Sequence, residues 1–507
     1  MRIFFPLRFL ALLPLLLLVG ACSDDFLDRA PINSYTTENF FEDEEQITQA
    51  VNGLYPIIRT LTINNYWVFT EFRSDNTTFQ YNPADRGNEA YERVDYFQAD
   101  ATNGTLSTIY NSSYTNISRA NFVLASLPDA AFDDEDNRVI REAEARFVRA
   151  FMYTNLTKLY GPVPLVDDVL LGESEAVNLR RSPLDDLYNR IIVPDFEFAI
   201  ANLPATWDAA NEGRASGHAA RVGLAKAYFQ RRNYAAALPL LNDIIDSGDH
   251  ALMQSYRDVF DPLAEAGNTE VIFAAENSAA AGFGAGFFFN WLPQNSGTDI
   301  TQSQAFIGAL AGRHIPTCDM IDAYEPGDRR FDASVGIYVA DPEMPDTAYY
   351  IRKYVFPPVL PTGSDTDWPI YRYADVLLMR AEALLETQGG LVNEAFTTLN
   401  ALRARANLPL YFPGNPDPAL DLNTEDQLRT ALRRERRIEM AFEGDRYYDL
   451  VRYGTLDETM RAHGEEQQLK QAEFLNELGG GYDNITELIG LPAQQVLLYE
   501  YEQNPGW

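Results

Sequence analysis

Apolar side chains recur at helical spacing along much of this chain, interrupted by stretches where no period holds. Within residues 36–61, Ile47, Val51, Leu54 and Ile58 mark one face of a helix behind the capping-type residues Thr36 and Thr37. A second helix is expected over 105–127. Residues 138–160, with Phe147 and Phe151 among Ala143, Ala145 and Ala150, predict a long helix that Gly161-Pro162 stops. Residues 183–203 predict its neighbour. Over 216–247 the pattern is helix–turn–helix: Ala219 to Phe229, a polar corner at Arg231-Arg232-Asn233, then Tyr234 to Leu238. Small residues on the first helix allow close packing against Ala and Leu on the second, as in a tetratricopeptide unit of about 34 residues. A similar pair recurs over 373–406. Two clear units and two blurred ones predict a mainly α fold, a tetratricopeptide-like α-α superhelix of about four helix pairs.

The interruptions are long. Residues 76–104 are polar and dotted with Phe79, Tyr81, Tyr91, Tyr96 and Phe97, and read as an excursion from the scaffold. Residues 249–367 show Gly, Pro and aromatic clusters with few helical stripes, predicting loops, short helices and small strands. The last stretch, 483–507, is irregular, with Pro492 and Pro505. Length alone leaves open several domains or one large helical solenoid.

The amino terminus carries a separate signal. Arg2 and Arg8 precede an apolar run from Phe9 to Val19 that is too short to span a bilayer. It ends in Leu18-Val19-Gly20-Ala21-Cys22, small residues before a cysteine, which resembles a bacterial lipobox. Residues 1–21 are therefore expected to be a lipoprotein signal peptide, Cys22 the lipidated residue, and 22–35 an acidic tether. The only other cysteine, Cys318, is expected to be a small buried hydrophobe. With no longer apolar run, the mature protein should sit on the membrane through its acyl chains.

Charge narrows the partners. The chain has 74 acidic and 40 basic residues, a net charge of −34, which repels nucleic acid. Only four of its bases are lysines, Lys158, Lys226, Lys353 and Lys470; so acidic and lysine-poor an exported chain suggests a saline habitat, the alternative being an acidic protein from a GC-rich genome.

Motifs that could carry catalysis have simpler readings. Glu435, Arg436, Glu439, Glu443, Arg446, Asp449 and Arg452 look like an acid–base cluster, but Ile438 and Phe442 lie on a packing stripe. Gly444 suits a helix C-cap, and the charges are expected to form a helix-surface ion network. Gly282-Phe283-Gly284-Ala285-Gly286 fails as a dinucleotide fingerprint because Phe287 occupies the third glycine's slot, and reads as a flexible loop. The four histidines show no ligand spacing, and Asp133-Asp134-Glu135-Asp136 lacks the EF-hand glycine and final Glu. No cofactor is expected, with a structural calcium ion left open.

Several segments together resemble the SusD/RagB family over nearly the whole mature length. These are Cys22-Ser-Asp-Asp-Phe-Leu-Asp28, Glu144 to Phe151 with Leu159 to Val166, Gly327 to Asp332, Tyr371 to Ala383, Arg434 to Arg452 and Gln503 to Trp507. Tyr110 departs from a frequent tryptophan in the family. The resemblance implies a single domain over 36–507, with halves of about 36–248 and 249–507, the second irregular. It also implies a non-enzymatic outer-membrane lipoprotein facing the cell exterior. Such a protein would bind an oligosaccharide, or a peptide as a RagB-like protein, and deliver it to a SusC-like TonB-dependent transporter. The rivals are a tetratricopeptide scaffold that binds proteins and a surface glycoside hydrolase.

Sugar rings stack their CH faces on aromatic side chains, and polar groups take their hydroxyls. Two loop regions offer that mixture: Tyr81, Arg86, Asn88 and Tyr91, and Phe287, Asn290, Trp291 and Gln294. These are the expected ligand contacts, with Trp291 foremost.

Overall fold

In the computed structural model, the described residues are 41–81, 87–170, 178–294, 296–302, 312–339, 347–358, 360, 363–477 and 480–507. The signal peptide, Cys22, the tether and Arg86 lie outside them.

The amino-terminal stripe folds as α1 (Glu44–Asn52) and α2 (Tyr55–Leu61), burying Ile47, Val51, Leu54 and Ile58 as the pattern requires. Then come α3 (Gly104–Ser126) and α4 (Glu135–Tyr160). Local chemistry sets their ends. The Asn103 side chain accepts from the amides of Thr105 and Leu106, and Asp134 accepts from Asp136, so part of the acidic run serves as a helix cap. Gly161, at φ 71, ends α4 in a conformation L side chains disfavour.

The remaining scaffold is α5 (Val193–Asn202), α6 (Gly217–Gln230), α7 (Tyr234–Ser247), α8 (Tyr373–Gln388), α9 (Asn393–Arg405), α10 (Glu425–Glu439) and α11 (Arg446–Tyr453). Neighbours in this series pack in succession from α3 to α9, and α10 closes onto α8 and α9. The mainly helical superhelix predicted from periodicity is what the chain forms. Small residues matter at the contacts: a Cβ on Gly223 of α6 would lie 2.7 Å from the Phe196 ring of α5. The 249–367 excursion leaves the stack continuous, since α7 packs directly on α8 and Arg380 Nε donates to Asn242 Oδ1 at 2.6 Å.

That excursion is tied down by pairing. Strand Val271–Ala275 runs antiparallel to Trp368–Arg372, with Val271 opposite Arg372 and Ala275 opposite Trp368. Phe147 of α4 meets the rings of Phe196 and Phe273 edge-on, joining this strand pair to the helices. The main core extends from Ile47 to Tyr501, so the carboxy-terminal segment is part of it. Among the described residues, no helix is long and apolar enough to cross a membrane.

Three expectations are corrected. The 76–104 excursion is partly regular: Thr77–Phe79 pairs with His314–Pro316, and Glu89–Asp95 is a helix. Cys318 is exposed rather than buried, because it opens a short surface helix whose inward residue is Met320. Of the charges expected on a helix surface, Glu435, Arg436, Glu439, Asp449 and Arg452 are buried inside the protein. Arg372 reaches Glu270 at 2.8 Å, Glu439 at 2.7 Å and Glu443 at 2.7 Å. Arg405 and Arg330 share Glu439, and Arg436 binds Asp375 at 2.5 Å and Asp449 at 2.7 Å. Glu439, Arg372 and Asp375 are almost wholly buried. With each of its acids matched by a guanidinium, the lattice joins strand, α8, α9 and α10 and leaves none of its own carboxylates without a cation.

Candidate functional site

A cleft of about 600 Å³ opens between α2, the loop leading into α6, and the turn that follows strand Val271–Ala275. Its floor is rigid. Tyr55 Oη donates to Glu144 Oε1 at 2.7 Å and accepts from the Ala215 amide at 3.1 Å. Arg214 clamps both oxygens of the fully buried Glu144 at 2.8 and 3.0 Å, and also Asn52 at 2.9 Å.

One side displays an aromatic ring. Phe283 and Ser278 exchange backbone hydrogen bonds of 3.1 and 2.8 Å, closing a turn in which Gly282 takes φ 82. Arg59 ties this turn to α2. Its Nε donates to Asn277 Oδ1 at 2.9 Å and its Nη2 to the Phe283 carbonyl at 2.5 Å, with the guanidinium 5.8 Å from the Phe283 ring centroid. The ring is held from behind and 59% exposed, the condition for stacking on a ligand face. The segment read from sequence as a flexible loop is thus a structured display turn.

The other side is acidic. Glu212, Glu265 and Glu276 line the cleft, and their carboxylates make no hydrogen bond or ion pair among the described residues. Loss of hydration, reinforced by repulsion from Glu265 and Glu212, pushes the Glu276 carboxyl up to about 7. Glu265 is raised by burial and by Glu212 and Asp365, and Asp367 is held well above the usual carboxylate range by burial. Gly213, at φ +84, makes room for Glu276: a Cβ there would lie 2.2 Å from its carboxylate oxygens. Arg59 and Arg214 are already committed to protein acceptors, so these acids remain as acceptors for hydroxyl donors. No group of three or more His, Cys, Asp and Glu among the described residues is arranged to hold a metal ion.

The residues expected from sequence lie elsewhere. Trp291 is 1% exposed and Phe287 is buried, packed on each other at 5.1 Å. Trp291 also meets Trp67 at 5.3 Å, and Tyr91 meets Trp67 at 5.6 Å. The structure therefore unites members of both expected groups, but inside the core rather than on exposed loops. Asn88 caps the Glu89–Asp95 helix, its side chain accepting from the Ala90 amide at 3.1 Å. Tyr81 is half-buried against a cluster containing Tyr96 and Tyr447, and Asn290 is exposed. None of these lines the large cleft. Phe283 was missed, and its signal was a single aromatic between glycines in an otherwise small-residue run. His218 and His250, 32 residues apart, also meet, at 3.1 Å.

Comparison with known proteins locates the chain. Residues 338–507 match the SusD family, and residues 25–229 match a family described as starch-binding and associating with the outer membrane. SusD-like protein P2 of Formosa agariphila is 28% identical over 487 residues, covering 90% of this chain and 92% of the relative. A SusD-like protein of Bacteroides ovatus is 26% identical, covering 89% and 83%. Among solved structures, a laminarin binding SusD-like protein superposes with a TM-score of 0.74 at 25% identity, covering 92% of this chain and all of that one. Surface glycan-binding protein A of Bacteroides fluxus gives a TM-score of 0.72 at 24% identity, with the same coverage. Through the family models matched over residues 25–229 and 338–507, the chain belongs to the SusD-like family.

Proposed function

We propose that the protein captures an oligosaccharide at the cell surface and passes it, uncleaved, to a TonB-dependent transporter resembling SusC, while anchored through lipid on Cys22. The observation that carries the binding half is the braced, exposed Phe283 ring facing unpartnered carboxylates across a 600 Å³ cleft. An apolar sugar face fits the ring, and sugar hydroxyls fit the acids. The names of the relatives support a glycan over a peptide: one solved relative is described as laminarin binding and another as glycan-binding. Outer-membrane association is supported by the family description matched over residues 25–229. The anchor, the outward orientation and the transporter rest on the lipobox and on the family.

One observation favours a hydrolytic reading, namely a cleft acid raised to about 7 beside other carboxylates. A binding screen of the purified protein against oligosaccharides and peptides, with chromatography of every mixture, separates the readings. Saturable binding of an oligosaccharide that is recovered intact is the expected result. Peptide binding alone, or cleavage products, would overturn the proposal. Labelling of intact cells, lost in Cys22→Ala, checks the anchor.

A further inference from the structure

A second cavity, of about 330 Å³, shares no lining residue with the first. The ends of α4 and α6, the 231–232 corner, α11 and residues 487–488 form its wall. The chain has four lysines and a net charge of −34, yet two of those lysines, Lys158 and Lys226, line this one cavity.

Their surroundings differ. Lys226 is paired with Asp375 at 2.7 Å and Asp445 at 2.9 Å. Asp449 is shared by Arg436 and Arg452, and Arg231 is held by Asp185 at 2.6 Å. Lys158 and the exposed Arg232 have no ion pair among the described residues, and the one lining acid without a cation is the exposed Glu487. The Lys158 ammonium rests 4.7 Å from the Tyr448 ring centroid. Burial, with Lys226 adding repulsion, outweighs the attraction of Asp445, Asp375 and Asp449 and lowers it to about 8, so it is a half-buried cation with no carboxylate in direct contact. Beside it, Phe229, Met379, Tyr448 and Leu488 provide an apolar wall. The volume lies near the lower end for ligand pockets, about 300 Å³.

The geometry points to a second ligand site here, for a monosaccharide-sized anion. Lys158 takes the carboxylate or sulfate of an acidic sugar, Arg232 assists from the surface, and the ring lies along the Phe229–Tyr448 wall. This goes beyond the glycan cleft and does not depend on it.

Titration calorimetry of the full mature chain with glucuronate, glucose 6-sulfate, inorganic phosphate and glucose tests the assignment. Saturable binding of glucuronate or glucose 6-sulfate, at least tenfold tighter than glucose, is expected, and the tighter of the two identifies the acid group. Lys158→Met should weaken it at least tenfold, Lys158→Arg should restore most of it, and Phe283→Ala should leave it unchanged. The thermal midpoint of each variant guards against unfolding, and Arg232→Ala, a surface change, provides a second arm with a smaller loss. Equal binding of glucose, binding unmoved in both Lys158→Met and Arg232→Ala, or phosphate binding as tight as either sugar would overturn the acidic-sugar site.

Discussion

The carboxylates around Arg372 and those lining the Phe283 cleft are the same chemical groups in opposite surroundings. Glu439 is fully buried, yet Arg405, Arg372 and Arg330 outweigh its burial and hold it well below the usual carboxylate range. Glu276 is more open, has no cation of its own, and is pushed up to about 7. Depth alone therefore does not decide the charge of an acid; the presence of a partner does. The paired acids join elements distant in sequence, as Arg372 connects the 270, 439 and 443 positions. In the function proposed above, the unpaired ones face the ligand, so structure and recognition fall to two sets of one residue type.

Removing a partner from the paired set should have the largest effect. Glu439→Ala takes the carboxylate shared by three interior guanidiniums, leaving Arg405 only Glu270, and about 3–5 kcal/mol of stability should be lost, read as a lowered denaturation midpoint. Trp291→Ala comes next, at about 3–5 kcal/mol for a large core aromatic, with no specific loss of ligand affinity in whatever folds. An intact fold with weakened binding would instead return Trp291 to the site.

The two acid sets should also separate with pH. Glu276 has a raised folded value, so the folded state binds more protons between about 4.3 and 7 and stability rises as pH falls through that window. Glu439 has a lowered value; its contribution is present above about 4.3 and is lost as pH falls further. Glu276→Gln should flatten the stability curve between pH 7 and 5 and leave the acid limb in place. A curve unchanged by that substitution would break the contrast.

Much of the scaffold was legible because helices repeat their burial every turn. The stripe at Ile47, Val51, Leu54 and Ile58, the stop at Gly161, and the α6–α7 pair all follow from spacing within one segment. What failed depends on distant partners. Trp291 stands in a Gly-rich stretch that reads as a loop, and rings from distant segments, Trp67, His314, Tyr354 and Trp368, help to bury it. The charges of α10 look like a solvated face until Arg330, Arg372 and Arg405 arrive from other elements. Phe283 was obscured differently, since its exposure depends on the Ser278 turn and on Arg59 of α2. Periodicity reports which face of an element is apolar, but not which irregular segment will be covered.

The central claim is that the braced Phe283 ring is a ligand contact rather than packing. The most direct measurement is titration of wild type and Phe283→Ala with the oligosaccharide identified by screening, alongside their melting curves. At least a tenfold loss of affinity, about 1.4 kcal/mol, with stability changed by no more than about 0.5 kcal/mol, is the predicted result. Equal affinity in the two proteins would contradict it.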